Sequence, residues 1–431
     1  MPSSSTPHHS AIVIGGGQAG LAMSYHLGRN GIDHVVLEKH AVAHSWKTQR
    51  WDAFCLVTPN WQCQLPGFAY AGDDPKGFML RDQIVDYVEA YARQINAPVR
   101  EGVAVTRLTR GSDARFLLET SAGAMTADQV VLAVSGYHRP NVPQMSDRVA
   151  PGVMQIHSSA YRNPQQLPEG DVLVVGSGQS GCQIAEDLHL AGRKVHLAVG
   201  SAPRCPRVYR GRDAVEWLDD LGQYDLPVDQ HPLKEKVRKN ANHYLTGRDG
   251  GRDIDLRRFA LEGMRLYGRL ADVRDGTLQF ADGLTASLDN ADRVYNGICA
   301  LIDDHIARHA IDAPPQPHYE PVWQPTDTPS RLDPEAAGIG SIIWTTGFRS
   351  DWSWIELPMF DGAGYPTHAR GVTTVDGVYV IGMPWLYTWG SGRFVGVGRD
   401  AEFVGAHLAA RHAEQRERGA AGSPALAVNA A

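Results

Sequence analysis

The stretch Ile12-Val13-Ile14-Gly15-Gly16-Gly17-Gln18-Ala19-Gly20 decides the fold. A short apolar strand (11–14) runs into a glycine turn, and residues 21–28 then carry helical spacing. A second apolar strand follows at 35–37, completing a βαβ unit. Gly15 permits the tight turn, Gly17 lets the backbone approach a pyrophosphate, and Gly20 lets helix and strand pack closely. The anion then rests on the helix start at Gln18 and Ala19, where free N–H groups and the helix dipole favour negative charge. Glu38 ends the second strand, with Lys39 beside it, and an acid there accepts hydrogen bonds from a ribose 2′-hydroxyl. Strand, turn, helix, strand and acid agree on a dinucleotide with a free 2′-hydroxyl, such as FAD.

The pattern recurs. A strand at 172–175 leads into Gly176-Ser177-Gly178-Gln179-Ser180-Gly181, a helix through 190 and a strand at 195–199. No acid ends this second strand; Gly200 and Ser201 follow, then Arg204 and Arg207. Ser and Arg bind a 2′-phosphate that a carboxylate would repel, so Ser201, Arg204 and Arg207 point to NADPH. Solvated surface positions are the alternative for the two arginines. Two such units predict an α/β flavoprotein with two dinucleotide-binding, Rossmann-like domains.

The chain has 431 residues, more than one hydrophobic core usually organises. Its formal net charge of -7 gives no bulk attraction for nucleic acid or an anionic membrane. No apolar run is long enough for a membrane span, and residues 1–10 lack the apolar stretch of a signal peptide. A cytoplasmic protein is the expectation. The five cysteines, Cys55, Cys63, Cys182, Cys205 and Cys299, form no C-x-x-C, which disfavours a dithiol redox motif and a zinc site. No metal is expected. Oligomeric state is not readable.

Further strands are expected at 130–134, 341–344 and 377–381, and helices at 81–95, 290–309 and 394–411. The late strands, 345–348 included, read as flavin-domain strands. The NADPH domain (166–325, with an insertion at 207–258) is therefore expected to interrupt an FAD domain made of 1–165 and 326–412. Residues 413–431, rich in Ala, Gly, Ser and charge, are expected to be disordered.

With both fingerprints placed, the chain resembles the flavin-containing monooxygenase family and its bacterial and plant relatives, from about 12 to about 410. Residues 46–66 (WKTQRWDAFCLVTPNWQCQLP) are similar to the family's W-x-x-R-[YW]-D stretch, and Cys63-Gln64-Leu65-Pro66 resembles the auxin-forming plant members. The resemblance implies that Trp46 and Arg50 lie at the flavin. Val134-Ser135-Gly136-Tyr137 and Trp344-Thr345-Thr346-Gly347-Phe348 are similar to the family's two A-T-G strand ends, and residues 377–382 to its late flavin-facing strand. Gly136, Thr346, Gly347 and Gly382 become cofactor-binding expectations. Asn60 is carried over as a catalytic candidate, because family members use an Asn near this place. The segment 151–161 departs from the family signature F-x-G-x-x-x-H: the Phe is missing and Gly152 and His157 are spaced one residue wider, leaving His157 as a hinge, core or functional residue.

The resemblance implies an FAD-dependent monooxygenase, reduced by NADPH, that inserts one oxygen atom of O2 into a small organic substrate through a C4a-(hydro)peroxyflavin. Trp46, Trp51, Trp61, Trp385, Tyr387 and Trp389 either line the dry pocket this needs or serve as core. A helix starting after Gly390-Ser391-Gly392 is placed to face the flavin pyrimidine edge. The alternatives are an NADPH oxidase or reductase and a flavin redox sensor.

Overall fold

A computed structural model describes residues 6–112 and 115–421. The sequence pattern sets the first sheet. Strand β1 (His8–Ile14) enters helix α1 (Gln18–Arg29), which returns to strand β2 (His34–Leu37). Helix α2 (Arg81–Gln94) follows, and strand β3 (Gly123–Leu132) closes an antiparallel meander. β1 lies between β2 and β3, parallel to both, with Ile14 opposite Leu37 and Leu132. Residues 11–13 and 130–131 are fully buried, as the continuous apolar runs require of strands covered on both faces.

The second sheet takes strands β4 (Met154–His157), β5 (Asp171–Val175), β6 (Val195–Ala198), β7 (Arg265–Tyr267) and β8 (Ile339–Trp344), with helix α3 (Gln179–Leu190) linking β5 to β6. Its order is β4-β8-β5-β6-β7, all parallel. Helix α4 (Leu284–His309) precedes β8. This corrects one placement. The strand at 341–344, expected beside the flavin unit, pairs with β4 and β5 in the second sheet, because its unbroken run of buried residues fits only between two parallel strands.

The chain then returns to the first sheet. Strand β9 (Val378–Val380) pairs in parallel with β3, with Val380 opposite Leu132. Helix α5 (Phe394–Ala421) packs on α1, with Val397, Ala401, Val404 and Leu408 fully buried at helical spacing. Gly405 permits the close approach, since a Cβ there would sit 3.0 Å from the His26 side chain. The expected disordered tail is corrected in part. Residues 413–421 continue α5, where Ala and Glu carry high helix propensity, and 422–431 lie outside the described residues. Among the described residues, no helix is long and apolar enough to cross a membrane.

Candidate functional site

Register brings the carboxyl ends of β1, β3 and β9 into one row, and those of β5, β6 and β8 into another. Ligands of parallel α/β sheets bind beyond such ends. At the first row Gly15 has φ +110, and a Cβ on it would lie 2.5 Å from the Ala133 carbonyl oxygen. A Cβ on Gly20 would lie 1.9 Å from the Gly15 oxygen. Gly17 differs: no heavy atom lies within 4 Å of its Cβ position, so the middle glycine faces open space at the start of α1.

The second loop repeats this. Gly176 has φ +105, a Cβ on Gly181 would lie 2.0 Å from the Gly176 oxygen, and Gly178 faces open space. Backbone angles agree too: Gly17 has φ -80 and ψ -175, Gly178 φ -69 and ψ -177. The corners beside the loops differ. Glu38 accepts the Gly16 N–H at 2.7 Å and the His40 N–H at 2.8 Å. At the second corner the Ser177 hydroxyl accepts the Gly200 N–H at 2.9 Å, and no acid is present. Ser180 and Ser201 are exposed there, as is Lys39 at the first corner. The Gln179 amide bonds both backbone groups of Leu245, tying the loop to the insertion.

Arg204 and Arg207 do not reach this corner. Arg204 is 2% exposed; it bonds Asp292 at 2.9 Å, lies 3.6 Å from Asp253 and 3.7 Å from Asp255, and stacks on Tyr295 and Tyr319. Burial opposes its charge, but Asp255, Asp253 and Asp292 hold it firmly protonated. Arg207 bonds Asp213 and the Val57 carbonyl and covers Phe78. Their guanidiniums are committed inside the fold, because a buried charge is tolerated only when paired. The expectation that they bind a 2′-phosphate is corrected; Ser201 alone of that trio remains available.

Beside the first loop, expected site residues converge. The Gln18 amide accepts Trp46 Nε1–H at 3.3 Å and donates to the Gly392 carbonyl at 3.4 Å. Gly382, φ +77, has no room for a Cβ because Ala19 Cβ would lie 2.5 Å away. Trp46 stacks on Phe394, the first residue of α5, and Arg50 covers the Trp46 and Phe54 rings at 5.0 and 5.5 Å. Trp51 is core, edge-on to Phe54.

Asn60 takes a structural position. Its amide donates to the Asp74 carbonyl, on an exposed loop, and accepts the Met79 N–H, which is buried. Both ends are thus engaged by backbone, and Asn60 closes this loop, with one N–H and one lone pair uncommitted. The sequence reading missed Arg393. Its guanidinium lies 3.6 Å from the Trp389 ring centre, bonds the Trp389 carbonyl, and donates to Asn242 Oδ1 at 3.1 Å. Burial lowers its pKa to about 10, with Tyr137 and Tyr224 opposing the shift. The signal available was its place, directly after Gly390-Ser391-Gly392 and before a helix.

The insertion closes over this region. Val228 N–H bonds the Tyr387 carbonyl, Arg399 pairs with Asp225, Arg238 bonds the Trp385 carbonyl, and Tyr224 packs on Trp389 with ring centres 4.5 Å apart.

Gly136, Thr346 and Gly347 belong to the two strands of chain that cross between the sheets. Phe348 pairs with Pro140, Thr346 and Asn141 bond reciprocally, and Ser350 bonds the Gly136 carbonyl. His157 Nε2 donates to the Gly347 carbonyl at 2.9 Å, while Nδ1 accepts the Ser159 N–H. Burial lowers its pKa, favouring this neutral tautomer. His157 is thus a residue of the crossing. All five cysteines are buried and unpaired. Desolvation pushes the Cys55 thiol up to about 11 and those of Cys63 and Cys299 to about 12. None supplies a thiolate at neutral pH, which dithiol exchange needs. Among the described residues, no cluster of three or more His, Cys, Asp or Glu could hold a metal ion.

Comparison with known proteins agrees with this geometry. Residues 12–218 match the family model described as pyridine nucleotide-disulphide oxidoreductase. A CzcO-like oxidoreductase of Geobacillus kaustophilus (strain HTA426) is 32% identical over 397 residues, covering 91% of this chain and 96% of that protein. Indole-3-pyruvate monooxygenase YUCCA4 of Oryza sativa subsp. japonica is 32% identical over 195 residues, 41% of this chain and 44% of its own. The solved flavin-containing monooxygenase of Stenotrophomonas maltophilia shares the fold, with TM-score 0.65 at 19% identity over 94% of this chain and 99% of that one.

Proposed function

The chain belongs to the CzcO-like oxidoreductases, and on that premise we propose that it is an FAD-dependent, NADPH-using monooxygenase acting on a small organic substrate with O2. One observation carries the reading: two glycine loops of the same geometry, each with its middle glycine on open space, and a carboxylate at only the first corner. The first sheet, with segments on both sides of the second, is assigned to FAD; the second, 154–344, is assigned to NADPH.

Gly15, Gly17, Gln18, Ala19 and Gly20 would hold the FAD pyrophosphate on the start of α1, and Glu38 would keep lone pairs for the ribose. Trp46, Arg50, Gly382 and the 392–394 turn would border the flavin ring. Gly176, Gly178, Gln179, Ser180 and Gly181 would hold NADPH, with Ser201 at its 2′-phosphate. Once bound, NADPH supplies a hydride, and FAD supplies the electron and O2 chemistry. The chain's own part is to hold the two nucleotides at the carboxyl ends of its two sheets, to seal the flavin side with Trp46, Phe54 and Phe394, and to offer no competing thiolate. Keeping water out suppresses unproductive loss of reactive oxygen. The buried, protonated thiols argue against a disulfide reductase, and the absence of any disulfide among five cysteines supports a reducing compartment, the cytoplasm.

Rapid mixing of NADPH-reduced protein with O2 tests the reading. A return to oxidised flavin in two resolved phases, with substrate-dependent incorporation of one 18O atom from 18O2 into product, is expected. Single-phase reoxidation with stoichiometric peroxide would establish an oxidase instead.

A further inference from the structure

Asp187 lies on α3, two turns beyond Gln179, and is 3% exposed. Its two oxygens hold two distant segments. Oδ1 accepts Arg248 Nη1–H of the insertion at 2.6 Å, and Oδ2 accepts the Tyr161 hydroxyl at 2.7 Å. Beside it Glu186, equally buried, lies 3.1 Å from Arg252 Nη2. A buried carboxylate is tolerated only when paired, and removing its partner is costly.

Both segments continue onto the other part of the chain. Tyr161 is fully buried and packs on Trp51. The next residue, Arg162, accepts the Asp52 N–H at its carbonyl and bonds the Thr48 carbonyl through its guanidinium. The insertion meanwhile runs along α3, with Leu245 held by Gln179 and Arg248 by Asp187. Between these two anchors Gly247 is pressed onto the opposite side. A Cβ there would lie 2.1 Å from the Leu56 carbonyl oxygen and 2.6 Å from the Phe78 ring, so the approach admits only glycine. Trp51, Asp52, Leu56 and Phe78 all belong to the stretch between β2 and α2, which also carries Trp46 and Arg50. The helix that starts at the second glycine loop is thus joined to the wall beside the first loop by two arms, and the arms meet at one carboxylate.

We propose that Asp187 is a positioning residue for hydride transfer: by holding Tyr161 and Arg248 together it fixes α3 against the flavin wall, and so sets the gap that the hydride crosses. The proposal rests on the two-nucleotide part of the reading above. In that step the hydride, with its electron pair, leaves NADPH as NADP+ and reduces FAD. Transfer needs near contact, and a misplacement of about 1 Å can slow such a step about a hundredfold. Asp187 stands two turns away from the loop, so its loss is expected in the rate and not in either affinity.

The test mixes FAD-loaded protein with NADPH without O2, reading a Kd and a limiting rate of flavin reduction. Asp187→Asn should lower the limiting rate about ten- to a hundredfold, with Kd for NADPH and flavin content unchanged. Gly247→Ala, which leaves the carboxylate intact but lifts the insertion from Leu56, should slow reduction in the same way. Arg248→Lys, which keeps the charge, should recover most of the rate lost in Arg248→Gln. A second readout is independent of turnover: amide hydrogen exchange of the FAD-loaded protein should rise at both 158–163 and 245–252 in Asp187→Asn. An unchanged limiting rate overturns the proposal, even if exchange or Tm changes, since the hub would then serve stability alone. A weaker Kd for NADPH at an unchanged rate also overturns it, as does raised exchange in one arm only. Should Asp187→Asn not fold, Arg248→Gln, Arg248→Lys and Gly247→Ala decide by the same criteria. Failure of NADPH to reduce the parent protein would instead refute the cofactor assignment, and single-phase reoxidation by O2 would refute oxygenation alone, so the failures are distinguishable.

Discussion

The Glu38 carboxylate accepts the backbone N–H of Gly16 at 2.7 Å, so the acid expected at a ribose also fastens the strand end to the glycine loop. Glu38→Ala should loosen loop and ligand together. Hydrogen bonds to a charged group contribute about 1.5–3 kcal/mol, so FAD should bind roughly ten- to a hundredfold more weakly. Reconstitution of apoprotein, followed by quenching of FAD fluorescence, measures this; an unchanged Kd would remove Glu38 from the site.

Arg204→Ala should act on stability and leave cofactor choice alone. Removing one partner of a buried ion pair typically costs about 3–5 kcal/mol, and here Asp292, Asp253 and Asp255 would be left facing one another. Thermal unfolding should show a large fall in Tm. The ratio of NADPH to NADH affinity in the surviving protein should match the parent. A selective loss of NADPH affinity would contradict the buried position of the side chain.

Gly17→Val and Gly178→Val should separate the two nucleotide sites. Each Cβ enters open space, so neither variant is strained in the empty protein. The first should purify without FAD. The second should keep FAD and be reduced by dithionite but not by NADPH. A Gly17→Val protein with full flavin content would show that the first loop is not the FAD site.

Asp400 sets a pH dependence. Burial is the main cause of its pKa rising to about 6, so the folded chain binds this proton more tightly than the unfolded chain. Its stabilising contribution is therefore present at low pH and is lost as pH rises from the ordinary carboxylate range through about 6, by up to about 3 kcal/mol. Asp400→Asn should raise Tm at pH 8 and change it little at pH 4. An equal gain at both would show that Asp400 does not ionise in this range.

Much of the fold was legible because it rests on local signals. Apolar runs ending in glycine located β1, β5, β6 and both loops, and helical spacing located α2 to within a residue at its end. α4 begins at Leu284 rather than at Asn290, since Gly283, in a left-handed conformation, sets the start. What was not legible depends on distant partners. Nothing around Arg204 announces Asp292, which lies 88 residues on, and a guanidinium after a strand reads the same whether it faces solvent or three aspartates. The bonds of Asn60 to Asp74 and Met79 were hidden likewise, a loop closure without a motif. Arg393 became visible only when Asn242 and Trp389 met it from two parts of the chain.

The burial of all five cysteines bears on how long such a catalyst lasts. A protein that activates O2 generates peroxide at its own centre whenever turnover misfires. Sulfur is attacked by peroxide as the exposed thiolate. Sealing every thiol in the interior and holding it protonated removes that target, so inactivation by hydrogen peroxide should follow unfolding rather than precede it.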